Sequence, residues 1–186
     1  VYNIQGRGCV VTGSVEQGSI KTGIDLEIVG HKAPISTTCT GLESFRKELT
    51  DARAGDNAGI LLRHVTKDMV QRGNVIAAPG TIASYSKFRA NFYALTEEEG
   101  GRKKAFFSGY QPQFFIRTCD ISGTVQFAEG EGKSKEEQKQ MMMMPGDNKE
   151  LIVTLKKPTP LQEGLTFAVR EGGRTVGAGR VTKVYE

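Results

Sequence analysis

Short apolar runs punctuated by glycine set the pattern of this chain. Cys9-Val10-Val11-Thr12 stops at Gly13, Leu26-Glu27-Ile28-Val29 at Gly30, and Val75-Ile76-Ala77-Ala78 at Pro79-Gly80. Ile60-Leu61-Leu62 follows Gly55 and Gly59. Such runs, bounded by turn formers, predict short strands, and their spacing predicts an all-β sandwich or barrel. Further along, Phe88, Ala90, Phe92 and Ala94 alternate with polar residues across Lys87 to Leu95, the period of a half-buried strand. More strands are predicted over 114–118, 124–127, 151–155, 167–169 and 181–185. Leu42, Phe45 and Leu49 have helical spacing in a stretch free of Gly and Pro. A strand would fit there equally, and periodicity alone leaves both readings open.

Pro79-Gly80 is the predicted boundary, because beyond it the β texture starts again. Two β domains, 1–82 and 83–186, are expected. Residues 1–82 carry nine basic and eight acidic side chains, and 83–186 carry sixteen and thirteen, so the positive excess sits mostly in the second half. Residues 129–140 (EGEGKSKEEQKQ) hold no apolar side chain. With nothing to bury, that stretch is expected to be a solvated, mobile loop. Met141 to Met144 then run into the turn signal Pro145-Gly146-Asp147-Asn148, and read as strand and core filler rather than a soft-metal site.

Composition narrows the function classes. The 186 residues are 38% hydrophobic and 25% charged, ordinary for a globular chain. No apolar run approaches the ~20 residues of a spanning helix, so no membrane role is expected. Cys9, Cys39 and Cys119 are too few and too scattered for a disulfide framework or zinc site, which suggests a reducing compartment. His31 and His64 are the only histidines, and neither lies near a Cys or carboxylate at metal-ligand spacing. Two phosphate-loop look-alikes fail. Gly132-Lys133-Ser134 has Phe127 where the first glycine is required, and Gly13-x4-Gly18 is followed by Ser19-Ile20 rather than Lys. No catalytic residues, nucleotide site or metal are expected in this chain. What remains is basic: Arg102-Lys103-Lys104 after Gly100-Gly101, Lys156-Lys157, and Arg170 and Arg174 around Gly172-Gly173. With a net charge of +4, these read either as solvated surface or as a surface that tracks nucleic-acid phosphates.

The segments GRGCVVTGSVEQGSIKTG, TGLESFRKEL, RAGDNAGILLR, QRGNVIAAPGTI, EEGGRKKAFFSGYQPQFFIRTCDISGTV, MPGDN and FAVREGGRTVGAGRVTKV resemble, in this order, domains 2 and 3 of the elongation factor Tu family. The closing REGGRTVGAG resembles the bacterial and organellar type. The resemblance implies two antiparallel β-barrels, a translation-factor second-domain barrel followed by the C-terminal barrel, and an extended form for Leu42 to Leu49. The chain opens at Val1 with no leader, so a longer parent is expected, with a GTPase domain that holds GTP and Mg2+ and performs the hydrolysis. The family's task is GTP-dependent delivery of aminoacyl-tRNA to the ribosome. Partners implied are aminoacyl-tRNA, the ribosome, the exchange factor elongation factor Ts and the parent's GTPase domain. The implied compartment is a mitochondrial or other organellar matrix, or a bacterial cytoplasm.

Residue by residue, the resemblance places Tyr2, Thr12 and Asn57 on the aminoacyl pocket, and Glu43, Phe45 and Arg46 at the 3′ adenosine and its phosphate. It places Arg102, Lys103, Gln113, Ser122, Lys157 and Gly172 along the tRNA T stem. Gly100, Gln113 and Ala168 fall where the GTPase domain docks. Tyr2 stands where the family usually has Phe, and 129–140 is longer than the usual hairpin, which reads either as a tolerated surface insertion or as the mark of a lineage-specific, organellar version. Two other readings compete: a specialised carrier such as the selenocysteine factor, and a free-standing β-barrel interaction module. The coding sequence upstream of Val1 separates them.

Overall fold

The computed structural model describes residues 1–4, 8–45 and 47–185. It is 58% strand and 6% helix. Its contacts divide into two compact units, Val1–Ile82 and Ala83–Glu186.

In the first unit the strands are β1 (Tyr2–Ile4), β2 (Gly8–Ser14), β3 (Ser19–Lys21), β4 (Asp25–Val29), β5 (Ile35–Ser44), β6 (Lys47–Leu49), β7 (Asp51–Arg53), β8 (Asn57–Leu62) and β9 (Val75–Ala77). All pairings are antiparallel, in the order β1-β2-β8-β5-β4-β9, with β6 added to β5 and β3 paired with β7. β5 turns the corner. Its first half pairs with β4 and its second with β8, and a register shift between Cys39 and Gly41 inserts the extra residue that bends it. The core gathers one face of these strands: Cys9, Val11, Leu26, Ile28, Cys39, Leu42, Ala58 and Leu62. Leu42 is opposite Leu49 across the β5–β6 hairpin, so this segment is extended. The helical spacing misleads because Phe45, which a helical stripe would bury, stands 91% exposed beyond Ser44.

The second unit holds β10 (Ala83–Ala94), β11 (Phe106–Phe107), β12 (Gln113–Ile116), β13 (Cys119–Phe127), β14 (Met142–Met143), β15 (Asn148–Leu161), β16 (Thr166–Glu171) and β17 (Arg174–Tyr185), with one short helix, α1 (Lys135–Gln140). Strands β10-β15-β13-β12-β16-β17 close into a barrel, which leaves no open edge among them. The alternating Phe88, Ala90, Phe92 and Ala94 point inward. Phe167 anchors an aromatic cluster, 5.5 Å from Phe88 and 5.7 Å from Phe114. Gly179 leaves room for it: a Cβ there would lie 2.5 Å from the Phe167 ring and 2.7 Å from the Asn91 carbonyl oxygen.

The charged stretch differs from the expectation. Ser134 caps α1 by accepting from the Glu137 N–H, and the Glu137 carboxylate accepts from the Ser134 N–H in return, a capping box. The stretch is also tied down. Glu131 pairs with Arg89 of β10, and Gln138 donates to the Gly130 carbonyl at 2.9 Å. Of the methionine run, Met143 is fully buried opposite Phe106, whereas Met142 and Met144 are half exposed. Met141, partly buried, packs against the same core, so two thioethers serve as filler and two face outward.

Candidate functional site

The outer face of the first unit is built from the strand residues that the core does not use. Directly opposed residues share a face of a sheet, and so do residues two apart on one strand. One row across this face is Tyr2, Val10, Leu61 and Gly41. The next is Thr12, Gly59, Glu43 and Glu48. A third pairs Ser14 with Asn57, whose carbonyl accepts the Ser44 hydroxyl at 2.7 Å. The floor is small and apolar. Val10 is only 5% exposed yet belongs to no core cluster, and a Cβ on Gly59 would stand 3.5 Å from it. The Glu43 side chain leans over the same glycine, which has room for it only because it has no side chain: a Cβ there would be 3.0 Å from Glu43 Cγ and 3.3 Å from Oε1. Thr12, Asn57 and Glu43 are exposed around this floor, and Tyr2 is 65% exposed at its edge. Phe45 follows Ser44 with φ +49°, a left-handed backbone rare for an aromatic residue, and offers its ring to solvent.

The second unit presents polar groups on the barrel exterior. Gln113 of β12 lies between Ser122 of β13 and Arg170 of β16. Phe115 lies between Asp120 and Ala168 in the next row, with the Arg170 guanidinium 5.2 Å above its ring. Arg170 donates to the Gly173 carbonyl at 2.6 Å, while its Nε is buried with no partner among the described residues. The β16–β17 turn is made by Gly172 (φ +54°) and Gly173 (φ +81°), consecutive left-handed residues that only glycine adopts without strain.

Beside that turn sits a three-residue network. Arg102 is stacked 4.9 Å over the Tyr110 ring, donates to the Tyr110 hydroxyl at 3.2 Å and to the Lys104 carbonyl at 3.2 Å, and pairs with Glu171. Tyr110 in turn donates to Glu171 at 2.6 Å. The Tyr110 hydroxyl, with help from the Arg102 guanidinium, holds the Glu171 carboxyl below the usual carboxylate range. Burial, and then the carboxylate, push the Tyr110 hydroxyl well above its ordinary value. Arg174 adds a second tie, to the Gly101 carbonyl at 3.4 Å. The preceding turn is ordered by Glu99, which accepts from the Thr96 N–H and the Tyr93 hydroxyl at 2.9 Å each. Among the described residues no group of His, Cys, Asp or Glu could hold a metal, and no helix is long and apolar enough to cross a membrane.

Comparison with known families decides what these surfaces belong to. Residues 8–77 match the family model described as elongation factor Tu domain 2, and residues 81–185 match that described as elongation factor Tu C-terminal domain. The chain belongs to the elongation factor Tu family. It is therefore a translation elongation factor-like chain made of two of that family's β-barrel domains, and the two matched segments are non-catalytic.

The positions that the resemblance singles out are distributed unevenly over these elongation factor Tu domains. Tyr2, Thr12, Asn57 and Glu43 come together on the one outer face of the first unit, with Phe45 just past its rim. Arg46 lies outside the described residues. Gln113 and Ser122 are neighbours, and Gln113 and Ala168 share the β12–β16 exterior. Gly100 lies in the turn closed by its N–H to the Glu97 carbonyl at 3.0 Å. Lys157 is exposed on β15, and no pairing links it to the others. Lys103 meets Glu97 at 2.5 Å, and Arg102 is committed to Glu171 and Tyr110. The sequence reading does not single out Gly59, Tyr110 or Glu171. Gly59 is one glycine among 23, and Arg102 and Glu171 are 69 residues apart.

Proposed function

We propose that this chain is the cargo-holding part of an elongation factor Tu that carries aminoacyl-tRNA to the ribosome, with GTP and Mg2+ bound and hydrolysed by a GTPase domain of the parent. The first domain (1–82) receives the aminoacylated 3′ end, and the second (83–186) receives the T stem. The observation that carries this reading is the outer face of the first unit. An apolar floor of Val10 and Gly59 is ringed by Thr12, Asn57 and Glu43, next to an aromatic at each side in Tyr2 and Phe45. Glu43 can accept from a ribose hydroxyl, the group that distinguishes RNA. A solvent-exposed aromatic such as Phe45 offers a stacking surface to an unpaired base. Phe45 in a strained left-handed backbone is the kind of cost that persists where function requires it.

On the second unit, Gln113, Ser122, Lys157 and the exposed amides at Gly172 suit sugar and phosphate contacts. Such contacts carry no sequence information, as a carrier of many tRNAs needs. Gly100, Gln113 and Ala168 suit contact with the GTPase domain. Elongation factor Ts is a further partner in this reading, and the bacterial or organellar form places the protein in an organellar matrix or bacterial cytoplasm.

The test is protection of the aminoacyl ester. The intact factor with GTP should slow spontaneous deacylation of an elongator aminoacyl-tRNA, and Phe45→Ala should weaken that protection by ~1–3 kcal/mol, the worth of one base–aromatic stack. A factor that leaves the ester as labile as in buffer refutes the carrier reading. An unrelated domain or a start codon immediately upstream of Val1 would support a free-standing interaction module instead.

A further inference from the structure

Three cations of the second unit converge on one ring. Phe88 and Ala90 point into the barrel, which puts Lys87 and Arg89 of β10 on its exterior. Lys87 is opposite Tyr185 of β17, and Arg89 is opposite Lys183. The Lys87 ammonium lies 5.2 Å and the Lys183 ammonium 5.5 Å from the centre of the Tyr185 ring, and Arg89 Nε donates to the Tyr185 hydroxyl at 3.0 Å. A ring face attracts cations, and here it gathers charges that repel one another. The carboxylates that touch this group, Glu131 and Glu150, both serve Arg89. Lys87 and Lys183 are exposed and have no carboxylate partner among the described residues. Glu131 shows what this face accepts. It comes from the stretch after β13 rather than from the barrel wall, and its exposed side chain reaches back onto the Arg89 guanidinium. A carboxylate from outside the wall is thus seated on one of the three cations, and the other two stand open beside it.

We propose that the β10–β17 face, with Lys87, Arg89 and Lys183 around Tyr185, is a docking surface for an acidic segment of a partner protein, whose carboxylates take Lys87 and Lys183 as Glu131 takes Arg89. The charges are complementary, and the fit is to separate carboxylates rather than to a continuous chain of phosphates. A nucleic-acid strand laid across the three cations would pass Glu131 and Glu150, and like charges in such contact repel. A peptide can place its acidic side chains to either side of them. β12, which carries Gln113, stands across the closed barrel, three strands from β10 in either direction, so this face is separable from that one by mutation. Exposed ion pairs are individually weak, so docking here is additive over its contacts and sensitive to salt.

The test is a titration of the full 186-residue chain against a fluorescein-labelled octaglutamate peptide at low ionic strength, read by anisotropy, with an octauridylate RNA as second probe. Lys87→Gln and Lys183→Gln should each weaken peptide binding roughly two- to fivefold, and more than Lys67→Gln, an equal change of charge on the first unit. Glu131→Gln frees Arg89 and should tighten the peptide by a similar factor, and more than Glu163→Gln, which removes the same charge between β15 and β16. Tyr185→Leu removes no charge, yet should weaken the peptide roughly twofold or more, because the ring no longer gathers the two ammonium groups. Absence of peptide binding at low salt overturns the proposal. Equal losses for Lys67→Gln, Lys87→Gln and Lys183→Gln overturn it too, because the attraction is then that of net charge alone. If the Lys87→Gln and Lys183→Gln losses fall on the RNA and leave the peptide unaffected, the face belongs to nucleic acid and the proposal is wrong.

Discussion

Gly59→Ala tests the first-unit face without removing any polar or aromatic group that would bind. The new Cβ would lie 3.0 Å from Glu43 Cγ, 3.3 Å from Glu43 Oε1 and 3.5 Å from Val10 Cγ1. The first contact is about half an ångström inside the carbon–carbon optimum, and the last is ordinary packing. The atom that must yield belongs to an exposed side chain with no hydrogen bond among the described residues, so a rotation of Glu43 relieves the overlap. Gly59 has no left-handed φ, so alanine fits the backbone, and the stiffer unfolded chain returns about 0.4–1 kcal/mol. Net stability should stay within about 1 kcal/mol of wild type. Function should not follow. A displaced Glu43 carboxylate forfeits a charged hydrogen bond to the terminal ribose, worth about 1.5–3 kcal/mol. At 1.4 kcal/mol per decade, that is a roughly ten- to hundredfold loss of affinity. The assay is ester protection against factor concentration with GTP, paired with a thermal melt of the same protein. Wild-type protection by a folded variant would refute the assignment of Gly59 as floor and Glu43 as ribose acceptor. A loss of stability beyond about 2 kcal/mol would refute the argument that Glu43 can move aside.

Gly179→Ala should do the reverse. Its Cβ meets the Phe167 ring and the Asn91 carbonyl in a closed barrel, neither of which can swing away, so urea denaturation should show a loss of about 3 kcal/mol. Ser134→Ala removes the capping box and should cost α1 about 1 kcal/mol, seen as faster amide exchange over 135–140. The barrel's own unfolding midpoint should barely move, because the strands do not depend on that cap. For pH, Glu171 has a folded pKa below its unfolded value, so its contribution is fully present above the usual glutamate value of about 4.3 and is lost as pH falls through the folded one. The stability gap between wild type and Glu171→Gln should therefore narrow below about pH 4, and a gap that stays constant down to pH 3 would contradict the network.

The strands were legible because alternation and glycine punctuation act over a few residues. Phe88 to Ala94 shows this directly: its period of two is the period of the barrel wall. The failures come where the decisive contact is not local. The expectation for 129–140 rests on apolar content, which says nothing about a helix held by its own cap. Yet Ser134-x-x-Glu137 is the sequence form of a capping box, a local signal for that helix. The Arg89–Glu131 pair that ties the stretch to the barrel spans 42 residues and leaves no sequence trace.

The same contrast governs the two candidate surfaces. On the first unit, register does the assembling. Once β2, β8 and β5 pair as they do, Thr12, Gly59 and Glu43 must stand in one row, and a one-residue slip would bury Thr12 and expose Val11. The face is thus specified by the same alternation that specifies the core, and the missing side chain at Gly59 is what lets Glu43 lean over it. On the second unit the basic residues were visible as a string, but sign and spacing could not say which of them were free. For Arg102 that depends on a carboxylate from elsewhere in the fold, Glu171, whereas Lys103 meets Glu97 of its own turn. A count of cations overstates a phosphate-binding surface by those the fold holds in partly buried networks, and in the 102–104 run that is Arg102, while the Lys103–Glu97 pair stays open to solvent.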